Sequence, residues 1–269
     1  MNDDPKPLSE WPVADRRDIR VVLCDIDDTL TRENRLEAAA YQALWDLHSA
    51  GFRVVPVTGR PAGWCDAFIR QWPVDAVIGE NGAFTYYLDS GVRRELYHPE
   101  SSEPSATQAR LGHIADRVFR EVPGTRAAKD QAFRLFDCAV DFREEPPMLG
   151  FDEAETIRRI CEEEGAVAKV SSIHVNFWIG AYDKRSMVAY TLSKLWGLSI
   201  DSPEVLRSLV FCGDSPNDEP MFSMVPNSFG VANVRDFLGY MQTPPKFITE
   251  SSNGVGFAEL ASALLSSRT

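Results

Sequence analysis

The chain has 269 residues, enough for one doubly wound domain carrying a smaller inserted one, and its 44% hydrophobic and 25% charged content is that of an ordinary globular protein. A net charge of −12 argues against a nucleic-acid partner, which needs a basic surface to meet phosphates, but leaves room for a local cation cluster that binds a small anion. No run approaches the roughly 20 apolar residues of a membrane helix, and the polar start from Met1 to Arg20 lacks the apolar core of a secretory signal, so no membrane partner and a cytoplasmic address are expected.

The first apolar run, Val21-Val22-Leu23-Cys24, reads as a buried parallel strand. It leads directly into Asp25-Ile26-Asp27-Asp28-Thr29-Leu30-Thr31. Ligand sites of open α/β sheets lie just beyond the carboxyl ends of the strands, where these acids stand. Two adjacent carboxylates repel unless a proton or cation sits between them, so the pair reads either as a functional site or as a solvated acidic turn. Next, Leu36, Ala39, Ala40, Ala43, Leu44 and Leu47 form a helical stripe that Gly51 closes. A second strand, Phe52 to Val57, then runs into Thr58-Gly59-Arg60. Strand, helix and strand in that order imply parallel pairing. Asp75 to Gly79 reads as a third strand, followed by the turn Glu80-Asn81-Gly82-Ala83.

From Phe84 to Ala181 the texture becomes α+β. Tyr86 to Asp89 and Arg93 to Tyr97 flank Ser90-Gly91 as a hairpin, and helices are expected near 106–121 and 152–164. Strand-like segments cover Phe133 to Phe142 and Ala166 to Ile179. The five cysteines, Cys24, Cys65, Cys138, Cys161 and Cys212, contain no CxxC and read as reduced small hydrophobes. The four histidines have no zinc-type spacing.

Lys184 opens a helix whose buried face is Met187, Val188, Thr191, Leu192 and Leu195. Leu209-Val210-Phe211-Cys212 is another strand, and it runs into Gly213-Asp214-Ser215-Pro216-Asn217-Asp218. Short strands near 229–231 and 247–249 and a helix from Phe257 to Leu265 end the chain. The fold class expected is α/β: a doubly wound, mostly parallel sheet domain in two pieces, 1–83 and 182–269, with an inserted α+β cap at 84–181.

In chain order the reactive set is Asp/Asp, Thr, Lys, Asp/Asp. That order, with its strand flanks, resembles the haloacid dehalogenase superfamily of phosphohydrolases, whose four motifs are DxDxT, a strand-terminal Thr or Ser, a Lys, and GDxxxD or GDxxND. The match extends from about residue 21 to residue 256. An insert between the Thr and Lys motifs resembles the type IIB cap of Cof-like, sucrose-phosphate and mannosyl-phosphoglycerate phosphatases, and Glu80-Asn81-Gly82-Ala83 is similar to the xNGA turn of that branch. Asp28 departs from the pattern, standing where most relatives have Gly.

The resemblance implies a Mg²⁺-dependent phosphatase acting on a small phosphorylated metabolite, with a sugar phosphate as the expected class, through an aspartyl-phosphate. Asp25 is then the nucleophile and Asp27 the general acid and base. Thr58 and Lys184 stabilise the transferring phosphoryl group. Asp25, the carbonyl of Asp27, Asp214 and Asp218 are the metal set, and oxygen ligands without His or Cys suit Mg²⁺ rather than zinc. Asn217, Asn81, Gly59, Arg60 and Trp178 complete the phosphate- and substrate-binding candidates. Alternative readings remain for each. Thr58 caps the helix after it, Asp214 and Asp218 cap a helix near Glu219, and Arg60 forms a surface salt bridge. Lys184 at a helix start is unfavourable to the dipole unless an anion lies nearby.

Specificity is expected in the cap. His174, Asn176 and Trp178 alternate with Val175, Phe177 and Ile179, so a polar-aromatic face either looks onto the site, with Trp178 stacking on a sugar ring, or faces water. Arg134 is a candidate for a second anionic group on the substrate. A phosphosugar mutase or phosphotransferase and a non-catalytic phosphosugar sensor are the alternative functions, with a monomer or homodimer as the assembly.

Overall fold

Side chains along the central strands are buried on both faces and alternate between two cores, and this places helices on both faces of one sheet. In the computed structural model, which describes residues 4–101, 103–171 and 173–268, the sheet has six strands. Residues 1–3, 102, 172 and 269, which fall within the domain limits above, lie outside the described residues.

A short N-terminal segment, β1 (Lys6–Pro7) and α1 (Val13–Asp18), precedes β2 (Val21–Cys24). A small hairpin, β3 (Thr31–Arg32) and β4 (Arg35–Leu36), leads to α2 (Ala38–Ser49), β5 (Arg53–Pro56), α3 (Ala62–Gln71) and β6 (Ala76–Gly79). Then come β7 (Phe84–Asp89), β8 (Val92–Tyr97), α4 (Pro104–Glu121), β9 (Arg126–Ala127), β10 (Asp137–Asp141), α5 (Phe151–Glu163), β11 (Val167–Val170) and β12 (His174–Trp178). The chain returns through α6 (Lys184–Trp196), α7 (Pro203–Arg207), β13 (Leu209–Gly213), α8 (Glu219–Met224), β14 (Asn227–Gly230), β15 (Phe247–Ile248) and α9 (Asn253–Leu265).

The sheet order is β1-β15-β14-β13-β2-β5, parallel at every pairing. Val22, Cys24, Val54, Val210 and Cys212 face α2 and α9, joined by Leu44, Leu47, Phe257 and Leu260. Val21, Leu23, Val55, Leu209 and Phe211 face α6 and α8, against Met187, Val188, Leu192 and Met221. Burying each such aliphatic side chain contributes about 1.5–3 kcal/mol, so the central strands can be short and still hold the layers together. After β2 the chain moves to β5 on one side, and later returns to β13 on the other. The crevice between β2 and β13 is the point where strand order reverses.

The cap has its own core. Its sheet, β11-β12-β10-β9, turns Cys138, Val140, Val175 and Phe177 toward Leu111, Val118, Ile157 and Ile160 of α4 and α5. The apolar face of β12 therefore packs on the cap helices. The hairpin β7–β8, grouped above with the insert, is instead hydrogen-bonded to β6 in an antiparallel three-stranded sheet, and Phe84 and Tyr86 share a core with Cys65 and Ile69 of α3. Its turn has Ser90 and Gly91 both left-handed, at φ 53 and 79, as a two-residue hairpin loop requires. Helix α9 begins at Asn253, four residues ahead of the apolar pattern at Phe257.

Candidate active site

Register brings the acids together. Cys24 pairs with Cys212, and the Asp25 N–H donates to the Cys212 carbonyl at 2.9 Å, so Asp25 and Asp214 leave neighbouring strand ends side by side. Below Asp25 the chain wraps tightly: the N–H groups of Thr29, Leu30 and Thr31 all donate to the Ile26 carbonyl, at 3.3, 2.9 and 3.1 Å. Asp218 reaches the same place from the 3-10 turn Pro216–Asp218, its Oδ2 accepting from the Asp214 N–H at 3.0 Å. Gly213 makes this possible, because a Cβ there would collide with Asp218 Oδ2. Asp218 makes no side-chain cap to α8, but its carboxylate also reaches the Ser215 N–H and so caps the 3-10 turn that leads into that helix.

Lys184 enters as the first residue of α6. Asp183 caps the helix, accepting from the Ser186 N–H at 2.7 Å, and Gly82 lets the β6–β7 turn press on the Asp183 carbonyl where a side chain would clash. Lys184 Nζ donates to Asp25 Oδ1 and to Asp218 Oδ1, each at 2.7 Å. The adverse helix dipole is thus offset by two carboxylates.

Asp25, Asp214 and Asp218 are buried, and one oxygen of each lies within 4.8 Å of the others. Burial pushes Asp25 up to about 8 despite Lys184, with Asp218 and Asp27 adding to the rise. Burial and the Asp218 and Asp25 carboxylates hold Asp214 well above the usual range. For Lys184, burial works against the charge, but Asp218 and Asp25 outweigh it and raise its pKa. Three buried carboxylates facing one ammonium leave an excess of negative charge that a divalent cation would neutralise, and the donor set is all oxygen. These residues fit such an ion.

Asp27 points elsewhere. Its carboxylate accepts from Arg60 Nε at 2.9 Å and from Nη2 at 2.6 Å, and the Arg60 guanidinium lies over the Trp64 ring at 4.6 Å. Arg60 therefore forms a salt bridge, as its alternative reading held, but with the candidate acid-base residue. Thr58 is buried, its N–H donating to the Ile78 carbonyl at 2.9 Å and its Oγ1 accepting from the Arg60 N–H at 3.0 Å. That bond is local to the loop; α3 starts after Pro61, without a side-chain cap. Asn81, left-handed at φ 56, packs its amide against Gly59. Asn217 accepts from Ser215 Oγ at 2.8 Å and so shapes the Asp214–Asp218 loop.

Two sequence candidates, Trp178 and Arg134, have different surroundings from those expected. Trp178 is a core residue: it is 2% exposed, stacks on Tyr182, and donates through Nε1 to the Tyr182 carbonyl at 3.2 Å. A ring so covered offers no face to a sugar, because the β12 end is buried against the sheet domain. Arg134 is also enclosed, with its guanidinium spent on Asp130, Asp137 and the Gly59 carbonyl. Asp28 is exposed and left-handed at φ 56, the backbone region that explains a Gly in relatives and that Asp tolerates better than most side chains.

The sequence reading missed Glu80, Asn233 and Asn253. Asn233 and Asn253 donate to the Asp28 carbonyl at 3.0 and 2.9 Å, pinning the Asp25–Thr31 turn from chain positions more than 200 residues away. No local pattern marks them. Glu80 had one available signal, its place at a strand end beside the Thr58 loop. Burial and the Asp137 carboxylate push it up to about 8, against its backbone donors and Arg134.

The chain is thus a doubly wound sheet with paired acids at its switch point and a second α+β unit between β8 and α6. Residues 22–103 match the sequence family of haloacid dehalogenase-like hydrolases. Search of curated proteins finds no match. The fold is that of the C-terminal domain of Candida albicans trehalose-6-phosphate phosphatase, at 16% identity and TM-score 0.72 over 98% of this chain and 99% of that one. It is also that of a Thermoplasma acidophilum protein, 0175, at 19% identity and TM-score 0.70 over 91% and 98%. Synechocystis sucrose-phosphatase, solved with sucrose and phosphate, aligns at 15% identity and TM-score 0.63 over 92% and 98%. Residues 22–103 thus resemble the haloacid dehalogenase-like hydrolases in sequence, and over nearly its whole length the chain shares the fold of these solved structures.

Proposed function

We propose that the chain is a Mg²⁺-dependent phosphatase of a small phosphorylated metabolite, with a sugar phosphate as the substrate class. The observation that carries this reading is the placement of Lys184 between Asp25 and Asp218 at the β2–β13 crevice, 2.7 Å from each. A carboxylate nucleophile meeting a phosphate monoester faces repulsion of about 4 kcal/mol per charge pair at 4 Å and an effective dielectric of 20. The Lys184 ammonium offsets part of it. Asp25, Asp214, Asp218 and the Asp27 carbonyl would hold Mg²⁺, which supplies charge neutralisation at the phosphoryl oxygens.

Asp25 attacks phosphorus, forming an aspartyl-phosphate and releasing the alcohol. Asp27 gives its proton to the leaving oxygen, then takes one from the water that cleaves the acyl-phosphate. In the free enzyme Arg60 holds Asp27 through both carboxylate oxygens, which keeps the group at the mouth of the site. The Thr58 hydroxyl meets a phosphoryl oxygen, and Lys184 stays on the developing charge. Sugar phosphates are favoured because two of the structural relatives are named for trehalose 6-phosphate and sucrose phosphate hydrolysis. Five unpaired, buried cysteines suit a reducing compartment such as the cytoplasm. Among the described residues no helix is long and apolar enough to cross a membrane.

The test is phosphate release from a panel of sugar phosphates, other phosphometabolites and an aryl phosphate, with Mg²⁺ or chelator, for wild type and Asp25→Asn. Metal-dependent turnover lost in the variant supports the reading; turnover indifferent to chelator and to the substitution overturns it.

A further inference from the structure

The loop that carries Thr58 is held by its carbonyls. The Thr58 carbonyl accepts from the Asn81 N–H at 3.1 Å, the Arg60 carbonyl from the Glu80 N–H at 3.1 Å, and the one between them, on Gly59, from Arg134 Nη1 at 3.2 Å. The outer two donors belong to the turn after β6. The middle donor is a cap residue, 75 positions away.

A peptide group is rigid and planar, so fixing the Gly59 C=O also fixes the Arg60 N–H at its other edge. That N–H donates to Thr58 Oγ1 at 3.0 Å. Arg134 therefore orients the Thr58 side chain through a single peptide plane. Arg134 is itself immobilised: Nη1 donates to both oxygens of Asp137 at 2.9 and 2.8 Å, while Nε and Nη2 donate to Asp130 at 3.2 Å. Beside it, the buried Glu80 carboxylate accepts from the Ala62 N–H at 2.9 Å on the sheet-domain side. From the cap it accepts the N–H groups of Leu135, Phe136 and Asp137 at 2.9, 2.6 and 3.1 Å. The stretch 134–137 is thus stitched to the start of α3 through one buried carboxyl group that four backbone N–H groups share.

We propose that Arg134 is a positioning residue for Thr58, so that the cap sets the geometry of the phosphate-binding loop as well as covering the site, with Glu80 as the anchor that keeps the cap segment in place. This rests on the phosphatase reading. It assigns Arg134 an effect on every phosphate ester, whatever the leaving group, because Thr58 meets the part that all of them share.

The experiment compares wild type with Arg134→Gln and Arg134→Lys in kcat and KM on an aryl phosphate and on the best sugar phosphate, in affinity for orthovanadate with Mg²⁺, and in melting temperature. A misplaced loop is expected to lower kcat about tenfold to a hundredfold, by the same factor on both substrates, and to weaken orthovanadate binding. Lysine, which keeps the charge but lacks the planar fork, should fall between glutamine and wild type. A loss confined to the sugar phosphate would overturn the proposal and return Arg134 to a leaving-group contact. So would unchanged kcat and orthovanadate affinity beside a lowered melting temperature. If Arg134→Gln does not fold, Asp130→Asn frees only one edge of the guanidinium and carries the same expectation at smaller size, with an unchanged kcat counting against it. Wild type that binds no orthovanadate would bring down the phosphatase reading itself, an outcome separate from variants that bind it as wild type does.

Discussion

Lys184 Nζ stands 2.7 Å from Asp25 Oδ1, and its ammonium is shared by Asp25 and Asp218 inside the crevice. Replacing it with Met should lower kcat by about 10²–10³, the usual loss when a preorganised electrostatic stabiliser is removed. Without metal, Lys184→Met also strands buried carboxylates, and breaking a buried pair in this way costs about 3–5 kcal/mol. Steady-state kinetics and melting curves with and without Mg²⁺ read both effects, and the stability loss should shrink when Mg²⁺ is present.

The metal-free chain should lose stability as pH rises. Asp25 is held at about 8 and Asp214 well above the ordinary range, so between about pH 4 and pH 8 the folded state binds more protons than the unfolded state. Stability is then full below the unfolded pKa and is lost on rising through the folded one. Mg²⁺ competes with those protons, so the melting-temperature gain it gives should be larger near pH 8 than near pH 5.5. An equal gain at both would contradict the assignment.

Arg60→Gln should separate stability from activity. Its ion pair with Asp27 is part-exposed, with side-chain exposures of 18% and 38%, so the stability cost should stay under about 1 kcal/mol. Loss of the group that holds Asp27 should still reduce kcat/KM by about tenfold or more. Kinetics beside a denaturant titration measure the two together.

Asp28→Gly should leave kcat unchanged and alter stability by no more than about 1 kcal/mol, since the φ of 56 suits Gly and the Asp28 carbonyl, which Asn233 and Asn253 hold, is retained. A marked loss of activity would show that the Asp28 carboxylate takes part in the site.

Much of this architecture was legible because it follows from local patterns. The four residues of β2 are all apolar and all buried, and the acids that follow stand at the strand end where such runs place them. The Val175–Phe177 alternation identified the packed face of β12 correctly. What covers the opposite face was not in the strand itself: Trp178 is enclosed by Tyr182, which follows in the return to the sheet domain, and periodicity carries no information about that neighbour. Arg134 was visible as a cation near the site but not as a spent one: Asp130 and Asp137 lie within four residues of it, but the Gly59 carbonyl is 75 positions away and meets it only in the folded chain. Asn233 and Asn253 were invisible for the same reason. Trp178→Phe should accordingly lower stability without changing the ranking of sugar phosphates, as the substrate panel and a melting curve would show.

The most direct test is to mix wild type with the best sugar phosphate and Mg²⁺, quench in acid during the first turnover, and map phosphoryl groups on the peptides by mass spectrometry. The account predicts a phosphorylated peptide containing Asp25, formed only with Mg²⁺ and absent from Asp25→Asn. Rapid turnover with the label on another residue, or undiminished turnover by Asp25→Asn, would contradict it.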